Sequence, residues 1–227
     1  MDFTGYDLGM VGKIYLHNTQ DLGSRYKFLP MAGGYPVGEE VAGYLSEKFH
    51  RYGAPLVLKQ DNGGNLNQGV VNDVLSEFFV LPLNSPDHYA PYNGAIEESQ
   101  REVKGCLRDK LALGLPGLPE HIEAYAEAAI HDLNHRPRPC LKGRTSCQVF
   151  FESTHKPTFT KRERREIYDC VMGKAERILS AMNQIGQAVR ESAWRIAMES
   201  WLRSKGFINV HFSQKCHPIS PPFLAHN

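Results

Sequence analysis

Long apolar runs, paired cysteines and an excess of charge of one sign are all missing from this sequence. No run approaches the roughly 18 apolar residues that a membrane-spanning helix requires, and the first residues do not resemble a signal peptide. The five cysteines include no Cys-x-x-Cys pair, which argues against a zinc site or a disulfide framework and predicts reduced thiols in a cytoplasmic protein. The net charge of +1 identifies no nucleic-acid partner by itself.

The composition is that of an ordinary globular protein. With 227 residues, of which 41% are hydrophobic, the chain can form one large domain, or one domain with a helical appendage. Basic residues cluster in the segments 101–110, 135–144 and 161–165. Such clusters fit a nucleic-acid surface, but they are equally typical of solvated helix faces.

Strand and helix patterns alternate along the first two thirds of the chain, which predicts a layered α/β domain. The predicted strands are two within 13–30, joined by a turn at 21–23, and one each at 54–59 and 80–83. The predicted helices lie at 37–50, 66–78, about 95–111 and about 120–133. Residues 160–204 are predicted to be helical almost throughout, followed by an irregular tail.

The stretch LVLKQDNGGN places Asp61 at the end of a short apolar strand, directly before Asn62 and two glycines. One interpretation is a turn in which the Asp side chain caps the backbone. The other is a carboxylate held by a strand to bind a ligand, with Gly63 and Gly64 allowing a sharp turn and a close approach of that ligand.

The helix in YNGAIEESQREVKGCLRDK carries a second acidic candidate, Glu97, beside its predicted apolar face. A basic stripe follows Glu97 along the helix, formed by Arg101, Lys104 and Arg108. The plain alternative is a surface ion pair between Glu97 and Arg101. The neighbouring Glu98 competes for the same role, but it points about 100° away on the helix.

Three acids in this order resemble the DDE catalytic core of retroviral integrases and bacterial insertion-sequence transposases. Asp2 lies at the start of the first apolar segment, and 35 residues separate Asp61 from Glu97. Asp7 and Asp21 compete with Asp2, but Asp2-x-Thr fits the first acid of the family and Asp21 fits its turn. The family's other segments resemble DLGSRYKF, NSPDHYAPYNGAIEESQREVK and LNHRPRPCLKGRT.

The resemblance covers about residues 2–150. It implies a ribonuclease H-like three-layer α/β fold with a mixed central sheet over residues 1–155, whose first strand is truncated at its N-terminal side. Residues 156–227 are then expected to form a mainly α-helical C-terminal extension. The resemblance also implies that Asp2, Asp61 and Glu97 are catalytic and hold two Mg²⁺ ions, with Mn²⁺ as a substitute.

The expected reaction is DNA integration or transposition, by hydrolysis of DNA ends and strand transfer of their 3′-hydroxyls into target DNA. The resemblance implies a homo-oligomer on DNA and no membrane partner. The residues expected to contact DNA are Arg101, Lys104, Asn62, His88 and Arg108. Two alternatives stay open: a catalytically silent transposase remnant that binds DNA or oligomerises, and a ribonuclease H-like nuclease that never joins DNA.

Overall fold

A computed structural model describes residues 1–7, 13–61, 69–86, 90–112, 119–152, 157–182 and 186–208. These residues form a mixed α/β structure. Its strands are β1 (Asp2–Asp7), β2 (Lys13–Asn18), β3 (Met31–Gly33), β4 (Val57–Gln60) and β5 (Leu81–Asn84). Its helices are α1 (Gly38–Tyr52), α2 (Gly69–Glu77), α3 (Gly94–Ala112), α4 (Pro119–His135), α5 (Ser146–Glu152), α6 (Lys161–Ser180) and α7 (Gln187–Ser204).

The described strands pair as two sheets, whereas the sequence analysis predicted a single mixed sheet. β1, β2 and β3 form an antiparallel sheet in that order, and β4 pairs with β5 in parallel. The sheets meet where the Met1 ammonium group donates a 2.7 Å hydrogen bond to the Lys59 carbonyl.

Two apolar clusters explain why the predicted helices pack where they do. The first joins α1 and α2 through side chains that include Val41, Leu45 and Leu75. The second packs α3 and α4 against β2 through side chains that include Leu16, Val103, Leu107 and Ile130. Apolar residues four positions apart face the core in α1 (Val41 and Leu45) and in α3 (Val103 and Leu107). In α2 the buried residues are Val71 and Leu75, whereas Val70, which the predicted four-residue pattern placed on the apolar face, is 37% exposed. Gly53 ends α1 with a positive φ of 84°, which suits glycine.

The second strand predicted within residues 13–30 is wrong, because the chain forms β3 later, at Met31–Gly33. The intervening segment is a loop in which Gln20 and Lys27 make one isolated bridge. The Asp21 carboxylate accepts hydrogen bonds from the Ser24 backbone (2.8 Å) and hydroxyl (2.5 Å), which closes the predicted turn. The backbone of Lys27 bonds the Asn134 side chain through both its N–H (2.9 Å) and its carbonyl (2.8 Å), so a side-chain amide takes the place of a neighbouring strand there.

The chain divides into two compact units, Met1–Tyr168 and Asp169–Asn227, and the division falls inside α6. In the second unit, α6 and α7 bury Val171, Met198, Trp201 and Leu202. The helices predicted within residues 160–204 are thus found over the described residues. The predicted domain boundary after residue 155 stays a prediction. None of the helices that the structure describes is long and apolar enough to cross a membrane.

Candidate active site

Asp2 is the first residue of β1, and each of its carboxylate oxygens accepts a hydrogen bond. One oxygen accepts a 2.7 Å hydrogen bond from the Phe3 N–H, and the other accepts a 2.8 Å bond from the Gln100 amide. Burial raises the pKa of Asp2; the two hydrogen bonds oppose this effect, and the negative charge of Asp61 adds to it. Asp2 and Asp61 are therefore electrostatic neighbours.

Asp61 directly follows β4, at the end of the parallel β4–β5 pair. Ser85, the residue after β5, lies beside this strand end. Its N–H donates to the Gln60 carbonyl at 3.0 Å, and its hydroxyl donates to Asn93 Oδ1 at 2.5 Å. Asn93 in turn donates from Nδ2 to Asp61 Oδ1 at 3.4 Å. The position of the Asp61 carboxylate is thus set by two strand ends and by the residue that precedes α3.

Glu97 lies in the first turn of α3 and is exposed, while Ile96 beside it is buried. The residues that flank Glu97 by about one turn on either side contact the two aspartates. Asn93 bonds Asp61, and Gln100 bonds Asp2. Glu97 thus lies between these two contacts along the chain, and its own side chain is exposed.

The three carboxylates do not form a finished cation site. Among the described residues, no group of three or more His, Cys, Asp or Glu side chains is close enough to hold a metal ion. Carboxylate oxygens are the ligands that Mg²⁺ prefers, so the donor chemistry of Asp2 and Asp61 suits such an ion, and the negative charge of Asp61 contributes to the raised pKa of Asp2. The Glu97 side chain is exposed and is not gathered with the two aspartates.

Lys59 places a positive charge near the same strand end. Its ammonium group lies 3.9 Å from the centre of the Tyr92 ring and donates a hydrogen bond to the Tyr92 carbonyl. This contact ties β4 to the turn that leads into α3, next to the contact between Asn93 and Asp61. Lys59 therefore helps to orient the start of the helix that carries Glu97.

A partly buried ion cluster fixes the middle of α3. Glu102 accepts two hydrogen bonds from Arg138, at 2.8 and 3.1 Å, and its carboxylate lies 2.6 Å from the Lys27 ammonium group. Burial by itself would raise the pKa of Glu102, but the hydrogen bonds and charges of Arg138 and Lys27 outweigh it and lower the pKa to about 2. The cluster anchors α3 to the loop after β2 and to the segment after α4.

The predicted basic stripe is found on the exposed side of α3. Arg101, Lys104 and Arg108 are all exposed, as a DNA-contacting surface requires. Arg101 forms its ion pair with Glu98, so the Glu97–Arg101 surface pair considered as the plain alternative is wrong. The Lys104 ammonium group lies 5.7 Å from the centre of the Tyr6 ring. Asn62 and His88, the other predicted DNA contacts, lie outside the described residues.

Sequence reasoning missed the polar residues that support the aspartates: Ser85, Asn93 and Gln100. Asn93 belongs to the Asn-Gly pair that helped to reveal the resemblance, but its bond to Asp61 depends on a tertiary contact. Gln100 could have been found by its spacing, because it lies one turn after Glu97 on the same face. Nothing in the sequence around Ser85 indicated its role, apart from its position just after a strand.

No protein-family model matches the sequence, and no curated protein matches it either. Solved structures do match. The chain is similar to a chain of the simian T-cell lymphotropic virus intasome in complex with PP2A regulatory subunit B56 gamma (16% identity, TM-score 0.60), with 70% of this chain covering 57% of that one. It is also similar to the HTLV-2 integrase catalytic core domain in complex with magnesium, trimeric form (19% identity, TM-score 0.53), covering 66% of this chain and 95% of that one.

The BIV integrase catalytic core domain matches as well, at 18% identity and a TM-score of 0.52, with 68% of this chain and 94% of that chain covered. These structures have one class of fold in common. The chain thus has the fold of a retroviral integrase catalytic core, which confirms the resemblance at the level of fold. Its match spans little more than half of the intasome chain.

Proposed function

We propose that this chain is the catalytic core of a Mg²⁺-dependent DNA integrase or transposase, with a ribonuclease H-like fold. The observation that carries the proposal is a pair of contacts to the two aspartates, one made by the residue just before α3 and one made from α3 itself. Asn93 bonds Asp61 and Gln100 bonds Asp2, and Glu97 lies between those two residues in the chain. Structural similarity to integrase cores, one of them in complex with magnesium, supports the same class of reaction.

Asp2, Asp61 and Glu97 are the proposed ligands of two Mg²⁺ ions, for which Mn²⁺ can substitute. Bound Mg²⁺ supplies Lewis acidity, which lowers the pKa of an attacking water and stabilises charge on the attacking and leaving oxygens of a phosphodiester. Carboxylate oxygens suit this hard cation. The protein's own contribution is to hold Asp2 through Gln100 and Asp61 through Asn93, so that both carboxylates are oriented before DNA arrives.

The proposed substrate is DNA, first cut at its ends and then joined through the 3′-hydroxyls to a target. Arg101, Lys104 and Arg108 are proposed to contact phosphates, because their exposed side chains follow Glu97 along one helix. Asn62 and His88 are proposed as further DNA contacts. The reaction needs two DNA ends together, so we propose that the chain acts as a homo-oligomer on DNA.

The test is strand transfer with supercoiled plasmid and candidate element ends in Mg²⁺ or Mn²⁺. We expect joined products with the wild type and none with Asp61→Asn or Glu97→Gln. Glu98→Gln is the matched control, because Glu98 is the adjacent carboxylate but lies about 100° from Glu97 around the helix. Joining that survives equally in all three variants would remove Asp61 and Glu97 from the mechanism.

A second candidate, a catalytically silent DNA-binding remnant, is favoured by one observation: the described residues hold no assembled group of three metal-ligating side chains. The same preparations discriminate the two functions. The enzyme joins DNA in a metal-dependent way. The remnant binds DNA with a salt dependence that Arg101→Ala and Lys104→Ala weaken, yet it joins nothing in either metal.

A further inference from the structure

Lys59 lies on β4, where that strand meets both the start of β1 and the turn that leads into α3. Its backbone carbonyl accepts the 2.7 Å hydrogen bond from the ammonium group of Met1, the residue before Asp2. Its side-chain ammonium group donates to the Tyr92 carbonyl and lies 3.9 Å from the centre of the Tyr92 ring. Lys59 therefore contacts the residue that directly precedes Asp2 and the residue that directly precedes Asn93.

The contact with Tyr92 is made in the turn that brings a polar group to Asp61. Tyr92 belongs to the single turn of 3₁₀ helix that immediately precedes α3. The next residue, Asn93, donates to Asp61 Oδ1 at 3.4 Å, a long hydrogen bond that a small shift of the turn would break. Glu97 lies in the first turn of α3, so it moves with the same segment. The placement of Tyr92 thus affects both the Asn93 amide and the Glu97 carboxylate.

The charge of Lys59 acts on the same buried group as the charges of the two aspartates. Burial lowers the pKa of the Met1 ammonium group to about 5; the negative charges of Asp2 and Asp61 oppose this effect, and the positive charge of Lys59 adds to it. Lys59 and Tyr92 are both half-buried. An ammonium group that is partly removed from water interacts more strongly with an aromatic ring than an exposed one does.

We propose that Lys59 is a positioning residue of the candidate active site. Its ammonium group holds the turn at Tyr92. That turn sets where the Asn93 amide meets Asp61 and where the helix that carries Glu97 begins. The inference rests on the proposed function and adds to it a residue that acts through the metal ligands. A direct contact between Lys59 and a DNA phosphate would have a different signature, because it would lower DNA affinity and its salt dependence without changing the turn.

Hydrogen exchange and Mn²⁺ binding of the full chain, both measured without DNA, test the proposal. Lys59→Met keeps the length of the side chain and removes its charge. We expect it to speed backbone exchange over residues 90–97 about tenfold, because the turn opens more often. We also expect it to weaken Mn²⁺ binding about tenfold, the usual effect of losing a group that orients metal ligands. Lys59→Arg keeps the charge and the contact with the ring, so it should behave as the wild type does.

Lys48→Met is the matched control. The Lys48 ammonium group also lies over a tyrosine ring, 4.9 Å from the centre of Tyr44, but on α1, which carries none of the proposed metal ligands. We expect this variant to leave Mn²⁺ affinity and exchange over residues 90–97 unchanged. Tyr92→Phe keeps the ring and the carbonyl and should match the wild type, whereas Tyr92→Leu removes the ring and should resemble Lys59→Met.

Failure of this inference and failure of the proposed function give different results. If Lys59→Met matches the wild type in Mn²⁺ affinity and in exchange over residues 90–97, the inference is overturned and the proposed function stands, whether or not DNA affinity falls. If the wild type binds no Mn²⁺ but Lys59→Met still speeds exchange over those residues, the metal-dependent function is overturned and the role of Lys59 in holding the turn is supported.

Discussion

Neutralising Glu102 by substitution with Gln isolates the contribution of the ion cluster that anchors α3. In the wild type, the Glu102 carboxylate forms ion pairs with two cations, Lys27 and Arg138, whose side chains are both largely buried. The Lys27 side chain is 2% exposed, that of Arg138 is 14% exposed and that of Glu102 is 25% exposed. The substitution keeps the size and shape of the side chain but leaves both cations without their anion.

The expected loss follows from burial. Removing one partner of a fully buried ion pair costs about 3–5 kcal/mol, because the remaining charge is left uncompensated. Glu102 is a quarter exposed, so water reduces this cost, and a remaining hydrogen bond of 2.9 Å from Lys27 to Gln20 gives some further compensation. We therefore expect Glu102→Gln to lower the free energy of unfolding by about 2–4 kcal/mol.

Urea denaturation followed by circular dichroism measures the effect. Glu166→Gln is the control, because the Arg162–Glu166 pair has side chains that are 88% and 60% exposed and should contribute less than about 0.5 kcal/mol. A second variant, Lys27→Met combined with Glu102→Leu, removes the anion together with the more buried of its two cations and should recover part of the loss. If Glu102→Gln and Glu166→Gln lowered the free energy of unfolding by the same small amount, the conclusion that this cluster anchors α3 would be refuted.

The same group predicts a pH dependence. The pKa of Glu102 falls from an ordinary 4.5 to about 2, so its stabilising contribution is complete above pH 4.5 and disappears as the pH drops to about 2. The full shift corresponds to about 3 kcal/mol, which solvent exposure reduces to about 2 kcal/mol. The wild type should lose this amount between pH 4.5 and 2, and Glu102→Gln should lack that part of the acid sensitivity.

Two further substitutions probe the packing of the first unit. Arg164→Ala should destabilise by about 2–4 kcal/mol, because the buried guanidinium group donates to the carbonyls of Ala54 (2.6 Å) and Pro55 (2.7 Å), which would lose their donor. Arg162→Ala, two residues away and exposed, is its control in urea denaturation. Leu107→Ala should cost about 2–5 kcal/mol, since Leu107 is 1% exposed in the core between α3, α4 and β2. A Leu107→Ala midpoint equal to that of the wild type would contradict that packing.

The parts of the fold that follow local rules were predictable from the sequence. Apolar residues four positions apart fixed the core faces of α1 and α3, and Gly53 marked a helix end that needs a positive φ. The loop before β3 was not predictable, because the backbone of Lys27 bonds a side chain more than a hundred positions away, Asn134. No local pattern carries that information.

In the candidate site, too, some residues could be predicted from local sequence patterns and others could not. The positions of Asp2 and Asp61 at strand ends follow from short apolar runs, and Glu97 follows from helical spacing beside Ile96. The supporting bonds of Asn93 and Gln100 arise only when α3 meets the strands. Sequence reasoning therefore predicted which elements carry the three acids, but not the amides that bond the two aspartates.

The paired amide contacts of α3 have a mechanical consequence. A single rigid helix carries Gln100, which holds Asp2, and begins directly after Asn93, which holds Asp61. A small rotation of that helix about its axis changes both bonds together, rather than one at a time. Any force on its outer charges is thus transmitted to both aspartates in a single movement.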